Sequence, residues 1–234
     1  FPAGHILGSA MIRVERDGIS FLYTGDFKTT PSWTAEPIEI PQADILVMES
    51  TFGSPEYVFH QTRETLADQL EEFIESCVRR DYTPVVLAYN LGKSQEAMKV
   101  LGDRGHIVRV FSKSWELAQV YKEFGVQFKY CSEWNNEELS PGEVLIMPPH
   151  LANSRSVLSI LRRQTVLLSG WANGNGGFRY RANHSIPLSD HADFHDLIDF
   201  VKKVDPKKVY TTHGFDNFPI HLRAIGYDAE VLDH

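Results

Sequence analysis

Apolar residues recur along this chain with two different periods, and the change between them divides it. Over residues 9–16 polar and apolar positions alternate, Asp17-Gly18 supplies a tight hairpin turn, and residues 19–24 resume the alternation. Two antiparallel strands are therefore predicted. A Pro-rich connection over residues 30–41 follows, then a short apolar strand at 44–48. Beyond His60 the period lengthens. Leu66, Leu70, Phe73, Ile74 and Cys77 fall at helical spacing in a helix predicted over 62–80, whose acidic residues form a solvated face.

Strands and helices then alternate. The pattern predicts strands at 84–88, 107–111, 127–130, 143–147 and 165–169, and helices at 92–101, 114–124 and 153–163, the last capped by Asn153. Such alternation implies a small parallel-sheet domain. The Gly/Asn-rich stretch 170–178 reads as a loop leading out of it. A helix opened by Pro187 and running to about Val204, with Ser189 or Asp190 as N-cap, precedes a strand at 208–212, a helix at 218–225 and a strand at 229–232. The fold class is α/β.

Composition narrows the reading modestly. With 42% hydrophobic residues among 234, the chain can bury an ordinary core. A formal charge of −8 gives no global signature of nucleic-acid binding, so a polyanion would need a local basic groove or a metal. Cys77 and Cys131 are far apart and form no Cys-x-x-Cys pair, which suits free thiols in a reducing compartment. No apolar run approaches the roughly 18 residues of a membrane span and no export signal opens the chain, so a cytoplasmic location without membrane contact is expected.

The candidate chemistry lies at strand ends and helix starts. His5 sits in a loop bounded by Gly4 and Gly8, ahead of the first strand pattern. Tyr23-Thr24-Gly25-Asp26 places a carboxylate just past a strand, and Glu49-Ser50-Thr51-Phe52-Gly53 repeats that arrangement. Ser189-Asp190-His191 and Thr212-His213-Gly214 mark two later junctions. Each residue alone has a structural explanation: Asp26 a turn cap, Asp190 and Asp193 a helix start, His213 a core histidine. As a set, imidazoles and carboxylates in loops around a sheet edge suit zinc or another divalent cation.

These stretches together resemble the metallo-β-lactamase fold and its β-CASP nuclease branch. Phe1 to Ala10 is similar to that fold's third histidine motif and Tyr23-Thr24-Gly25-Asp26 to its bridging-aspartate motif. The Glu49, His191 and His213 stretches are similar to the three β-CASP markers, and Asn90-Leu91-Gly92-Lys93-Ser94-Gln95-Glu96 looks like the Gly-Arg-x-Gln-Glu element of the inserted domain. The closest flavour is the predicted exonuclease subgroup related to the nuclease subunit of mRNA cleavage and polyadenylation. The resemblance implies a partial αββα metallo-β-lactamase fold over residues 1 to about 55 and about 186 to 234, interrupted by a β-CASP domain over 56–185.

It also implies roles. His5 would bind one zinc, His213 a second, and Asp26 would bridge the two. His191 would be the general acid for the leaving oxygen, held in place by Glu49, in a two-metal hydrolysis of a phosphodiester. Lys93 and Arg179 are candidate phosphate contacts, with a solvated basic side chain as the alternative for each. Trp171 or Phe178 would stack a base or pack in the core. The implied partner is nucleic acid, RNA favoured over DNA because His213 stands at the third marker, with a homodimer as a candidate assembly. The family's His-x-His-x-Asp-His signature does not occur in these residues. The expectation is therefore a truncated, metal-poor and catalytically incompetent form of an active parent. A ligase-associated DNA exonuclease and a non-catalytic scaffold subunit of an RNA-processing complex are the alternatives, and a small-molecule hydrolase ranks last.

Overall fold

The computed structural model describes residues 1–173 and 182–232. In chain order its elements are β1 (Ile12–Arg16), β2 (Ile19–Tyr23), β3 (Ile45–Ser50), α1 (Arg63–Arg79), β4 (Thr83–Leu87), α2 (Lys93–Asp103), β5 (Val108–Val110), α3 (Ser112–Glu123) and β6 (Cys131–Glu133). They continue with β7 (Val144–Met147), α4 (Arg155–Leu158), β8 (Arg163–Leu168), β9 (His184–Ile186), α5 (Phe194–Val204), β10 (Lys208–Gly214), α6 (Phe218–Ala224) and β11 (Ala229–Val231). The chain divides into two compact units, Phe1–Val58 with Asp190–His234, and Phe59–Ser189.

The first unit holds a sheet of order β1-β2-β3-β10-β11. Asp17 and Gly18 both take left-handed backbone angles, φ 52° and 77°, which matches the twist a two-residue hairpin needs, and β1 pairs antiparallel with β2 around them. The remaining pairings, β2 with β3, β3 with β10 and β10 with β11, are parallel. Helix α5 repeats Phe194, Leu197, Phe200, Val201 and Val204 at helical spacing and buries that stripe. Phe200 stacks on Phe27 at 4.2 Å, and each such fully buried side chain contributes about 1.5–3 kcal/mol.

The expected N-cap of this helix is corrected. Asp193 caps it through the Asp196 N–H at 2.8 Å, with Asp196 returning toward the Asp193 N–H in a capping box. Residues 187–192 stay outside the helix because the Ala192 N–H is taken by the Phe27 carbonyl at 2.9 Å.

The second unit is a parallel sheet of order β6-β5-β7-β4-β8-β9, with Val85, Leu87, Leu145, Met147 and Leu167 in its core. Two expected elements change here for physical reasons, and one strand is additional. The helix expected over 153–163 shrinks to α4, capped by Ser154 rather than Asn153, because Arg163 joins the β8 ladder and the Arg162 carbonyl accepts from the Thr83 N–H. The strand expected at 127–130 begins instead at Cys131, since Tyr130 turns left-handed at φ 53°. Strand β9 has no signature in the local pattern because it is only three residues long, and those residues become a strand only by pairing with β8.

Candidate metal and catalytic site

Strands β2, β3 and β10 lie side by side and parallel, so their C-terminal ends open on one sheet edge. Asp26 follows β2, Glu49 stands near the end of β3, and His213 near the end of β10. The Thr24 N–H donates to the Val47 carbonyl at 3.0 Å and the Glu49 N–H to the Thr24 hydroxyl, extending the pairing up to the site. Tyr23, Gly25, Asp26, Glu49, Thr212 and His213 line a cavity of about 350 Å³.

The His5 loop is fastened to this edge by backbone contacts. Gly4 is left-handed at φ +74°, and a Cβ there would overlap the Lys28 carbonyl, so only glycine permits the approach. Lys28 in turn donates its N–H to the Ala3 carbonyl at 3.0 Å, and Ser9 Oγ accepts from the His5 and Ile6 N–H groups. Nδ1 of His5 lies 2.8 Å from the Asp190 carbonyl. A carbonyl only accepts, so Nδ1 carries the proton and Nε2, 3.9 Å from Asp26 Oδ2, is left as the lone-pair nitrogen.

His191 is oriented by a carboxylate. Its Nδ1 meets Glu49 Oε1 at 2.9 Å, and the same carboxylate accepts the Phe27 N–H at 3.0 Å and the Thr51 N–H at 3.1 Å. Glu49 is almost wholly buried. Burial pushes its carboxyl upward, but the hydrogen bond and charge of His191, with hydrogen bonds from Thr51 and from the Phe27 N–H, outweigh it and hold the group below its ordinary value. Burial likewise depresses His191, and Glu49, Asp190 and Asp26 outweigh it to leave the imidazole above its ordinary value. The ring sits 4.6 Å from that of His5 and edge-on to Phe52 at 6.0 Å.

A β-bulge sets His213. The register of β10 on β3 shifts between Thr212 and Gly214, and His213, the extra residue, is left-handed at φ 50°. The cause lies next to it. A Cβ on Gly214 would overlap the Ser50 carbonyl, so β10 closes on the end of β3 only because that position is glycine.

Two groups of ligand atoms fall within 4.8 Å of one another, His5 with Asp190 and His191, and Asp26 with Glu49 and His191. His213 shares the cavity with Asp26 but lies outside both groups. Imidazole nitrogen and carboxylate oxygen in this spacing, with His5 already tied through Nδ1, are the donor set a zinc ion takes. Sequence reasoning gave Asp190 only a capping role, whereas its carbonyl orients His5 and its carboxylate lies 4.0 Å from His191 Nε2. Its position directly before His191 was the available signal.

The expected substrate contacts fare differently. Lys93 is buried and its ammonium donates to the Leu188 carbonyl at 3.0 Å, so it is not a solvated basic residue and its charge is engaged in the fold. Arg179 and Phe178 lie outside the described residues. Trp171 is 41% exposed, which does not fit core packing. No helix among the described residues is long and apolar enough to cross a membrane.

Residues 178–223 match a family described as the Zn-dependent metallo-hydrolase RNA specificity domain, a description that implies a metal cofactor. The chain is 40% identical over 99% of its length to a protein of Opitutus terrae named probable DNA ligase, covering 23% of that protein. It is 37% identical over 44% of its length to an RNase J-like protein of Methanocaldococcus jannaschii, covering 25% of it. It is 25% identical over 93% of its length to the endoribonuclease YSH1 of Eremothecium gossypii, covering 36% of it. The chain thus spans between about a quarter and about a third of these relatives. With the matched family segment running through both His191 and His213, and with proteins named for RNA cleavage among the relatives, the chain is similar to the β-CASP nucleases of the metallo-β-lactamase fold.

Proposed function

We propose that this chain carries part of the active centre of a zinc-dependent phosphodiesterase acting on nucleic acid. The observation that supports it most is the pair of tethered imidazoles: His5 held through Nδ1 by the Asp190 carbonyl and His191 held through Nδ1 by Glu49, with Asp26 beside them. His5, Asp26 and His213 are the residues that would hold zinc. Bound zinc would supply an activated water and offset the charge developing on the phosphoryl group. His191 would give its Nε2 proton to the leaving oxygen, and Glu49 would keep that nitrogen aimed while its charge favours the protonated ring. The Phe1–Val58 and Asp190–His234 unit is read as the metallo-β-lactamase part, and Phe59–Ser189 as the β-CASP insertion.

RNA is the first substrate reading, supported by the description of the matching family and by the two relatives named for RNA cleavage. DNA is the second. It is favoured by one observation, that the relative aligned along 99% of this chain is named a probable DNA ligase. Three ligand residues for two ions fall short of a full tetrahedral set at each, so the 234-residue chain by itself is expected to hold zinc substoichiometrically and hydrolyse slowly.

Metal analysis combined with cleavage of end-labelled RNA and DNA of one sequence tests the whole reading. Asp26→Ala and His213→Ala are expected to lower both zinc content and cleavage in the protein at its native length. Parental cleavage by both variants would refute the assignment, and preference for one polymer decides the substrate.

A further inference from the structure

An aromatic run leads away from His191 within the first unit. Phe52, buried, meets His191 edge-on at 6.0 Å; Tyr57 lies 5.2 Å from Phe52; and Phe215 lies 5.6 Å from Tyr57 with the two rings 33° apart. Tyr57 and Phe215 are only half-buried. Their backbones are anchored all the same. The Tyr57 carbonyl accepts from the Phe194 N–H at 3.1 Å, its N–H donates to the Ser54 carbonyl, and the Phe215 N–H donates to the Ser50 carbonyl. Phe215 also follows the His213-Gly214 bulge directly, so the same backbone that sets a candidate ligand sets this ring.

The charge of the molecule gives such a pair a task. A chain of net charge −8, with Asp26, Glu49 and Asp190 at the site, attracts a polyanionic strand poorly through charge alone. Stacking on an aromatic face does not depend on net charge and accepts any base. We infer that Tyr57 and Phe215 form a stacking platform for a nucleobase next to the scissile phosphate, a role that rests on the proposed nuclease activity.

The test uses the protein at its native length and a labelled single strand of the polymer it cleaves, in which each position in turn is made abasic. Affinity is read by fluorescence anisotropy. The parent is expected to lose about 5- to 150-fold in affinity when one particular position is abasic, the range for loss of one base–aromatic stack. Tyr57→Leu and Phe215→Leu, which keep apolar volume, should bind the intact strand more weakly and be insensitive to the abasic substitution at that position. Tyr57→Phe should restore parental behaviour. A parent indifferent to every abasic position, leucine variants with parental affinity, or no binding of any strand would overturn the platform. Cleavage by the parent is measured in parallel. Its absence would sink the nuclease reading, whereas cleavage without base dependence would sink the platform alone.

Discussion

Replacing Glu49 with glutamine separates the charge of that side chain from its shape. The carboxylate accepts three hydrogen bonds, from His191 Nδ1, the Phe27 N–H and the Thr51 N–H, in a position almost closed to water. A glutamine that keeps its oxygen toward His191 and Phe27 turns its amide nitrogen toward the Thr51 N–H, so two donors face each other. An unsatisfied buried donor costs about 1–3 kcal/mol, and loss of the charge in the His191 bond adds about 1 more, giving about 2–4 kcal/mol in all. In activity the expected loss is about 10- to 100-fold, the usual effect of removing a group that orients a site histidine. Chemical unfolding followed by circular dichroism, with hydrolysis measured on the same preparations, provides both readouts. Glu56→Gln, on an exposed carboxylate, is the control and should lie within about 0.5 kcal/mol of the parent. A Glu49→Gln protein as stable and as active as that control would refute the idea that this carboxylate organises the site.

The remaining expectations concern stability and thiol chemistry. Gly214→Ala should sharply reduce soluble, folded protein, because its Cβ would overlap the Ser50 carbonyl at the point where β10 meets β3; a normal melting temperature would contradict the close approach. Asp193→Ala removes the cap of α5 and should cost about 0.5–2 kcal/mol in unfolding free energy, with Asp193→Ser recovering most of it. Burial raises the Asp196 carboxyl above its ordinary value, so its folding contribution is complete below the unfolded pKa and is lost as pH climbs through the folded one; Asp196→Asn should flatten that part of the stability–pH curve, and an unchanged slope would count against it. Burial also pushes the Cys131 thiol to about 12, so its modification by a thiol reagent at pH 8 should be far slower than in the denatured chain.

Much of the architecture could be read from one-dimensional pattern because it depends on local periodicity. The α5 stripe of Phe194, Leu197, Phe200, Val201 and Val204 and the Asp17-Gly18 turn follow from spacing and from turn chemistry. The His and acid residues of the candidate site were legible for a related reason, since His5 lies in a glycine-bounded loop, Asp26 follows β2, Glu49 and His213 stand near the ends of β3 and β10, and His191 precedes α5. The chain's own sequence therefore determined which residues stand at loop positions with metal-binding chemistry, and in what order.

Only the tertiary structure decided how they relate. Parallel pairing of β2, β3 and β10 brings Asp26, Glu49 and His213 to one sheet edge, and parallel pairing joins residues far apart in sequence, which no local period encodes. The same holds for smaller features. The Asp190 carbonyl reaches His5 across almost the whole chain, the Phe27 carbonyl holds back the start of α5, and β9 exists only through β8. Lys93 shows the limit most plainly. Its sequence context suggested a phosphate contact, but burial turns the ammonium onto the Leu188 carbonyl, and burial belongs to the packed chain rather than to a residue and its neighbours in sequence.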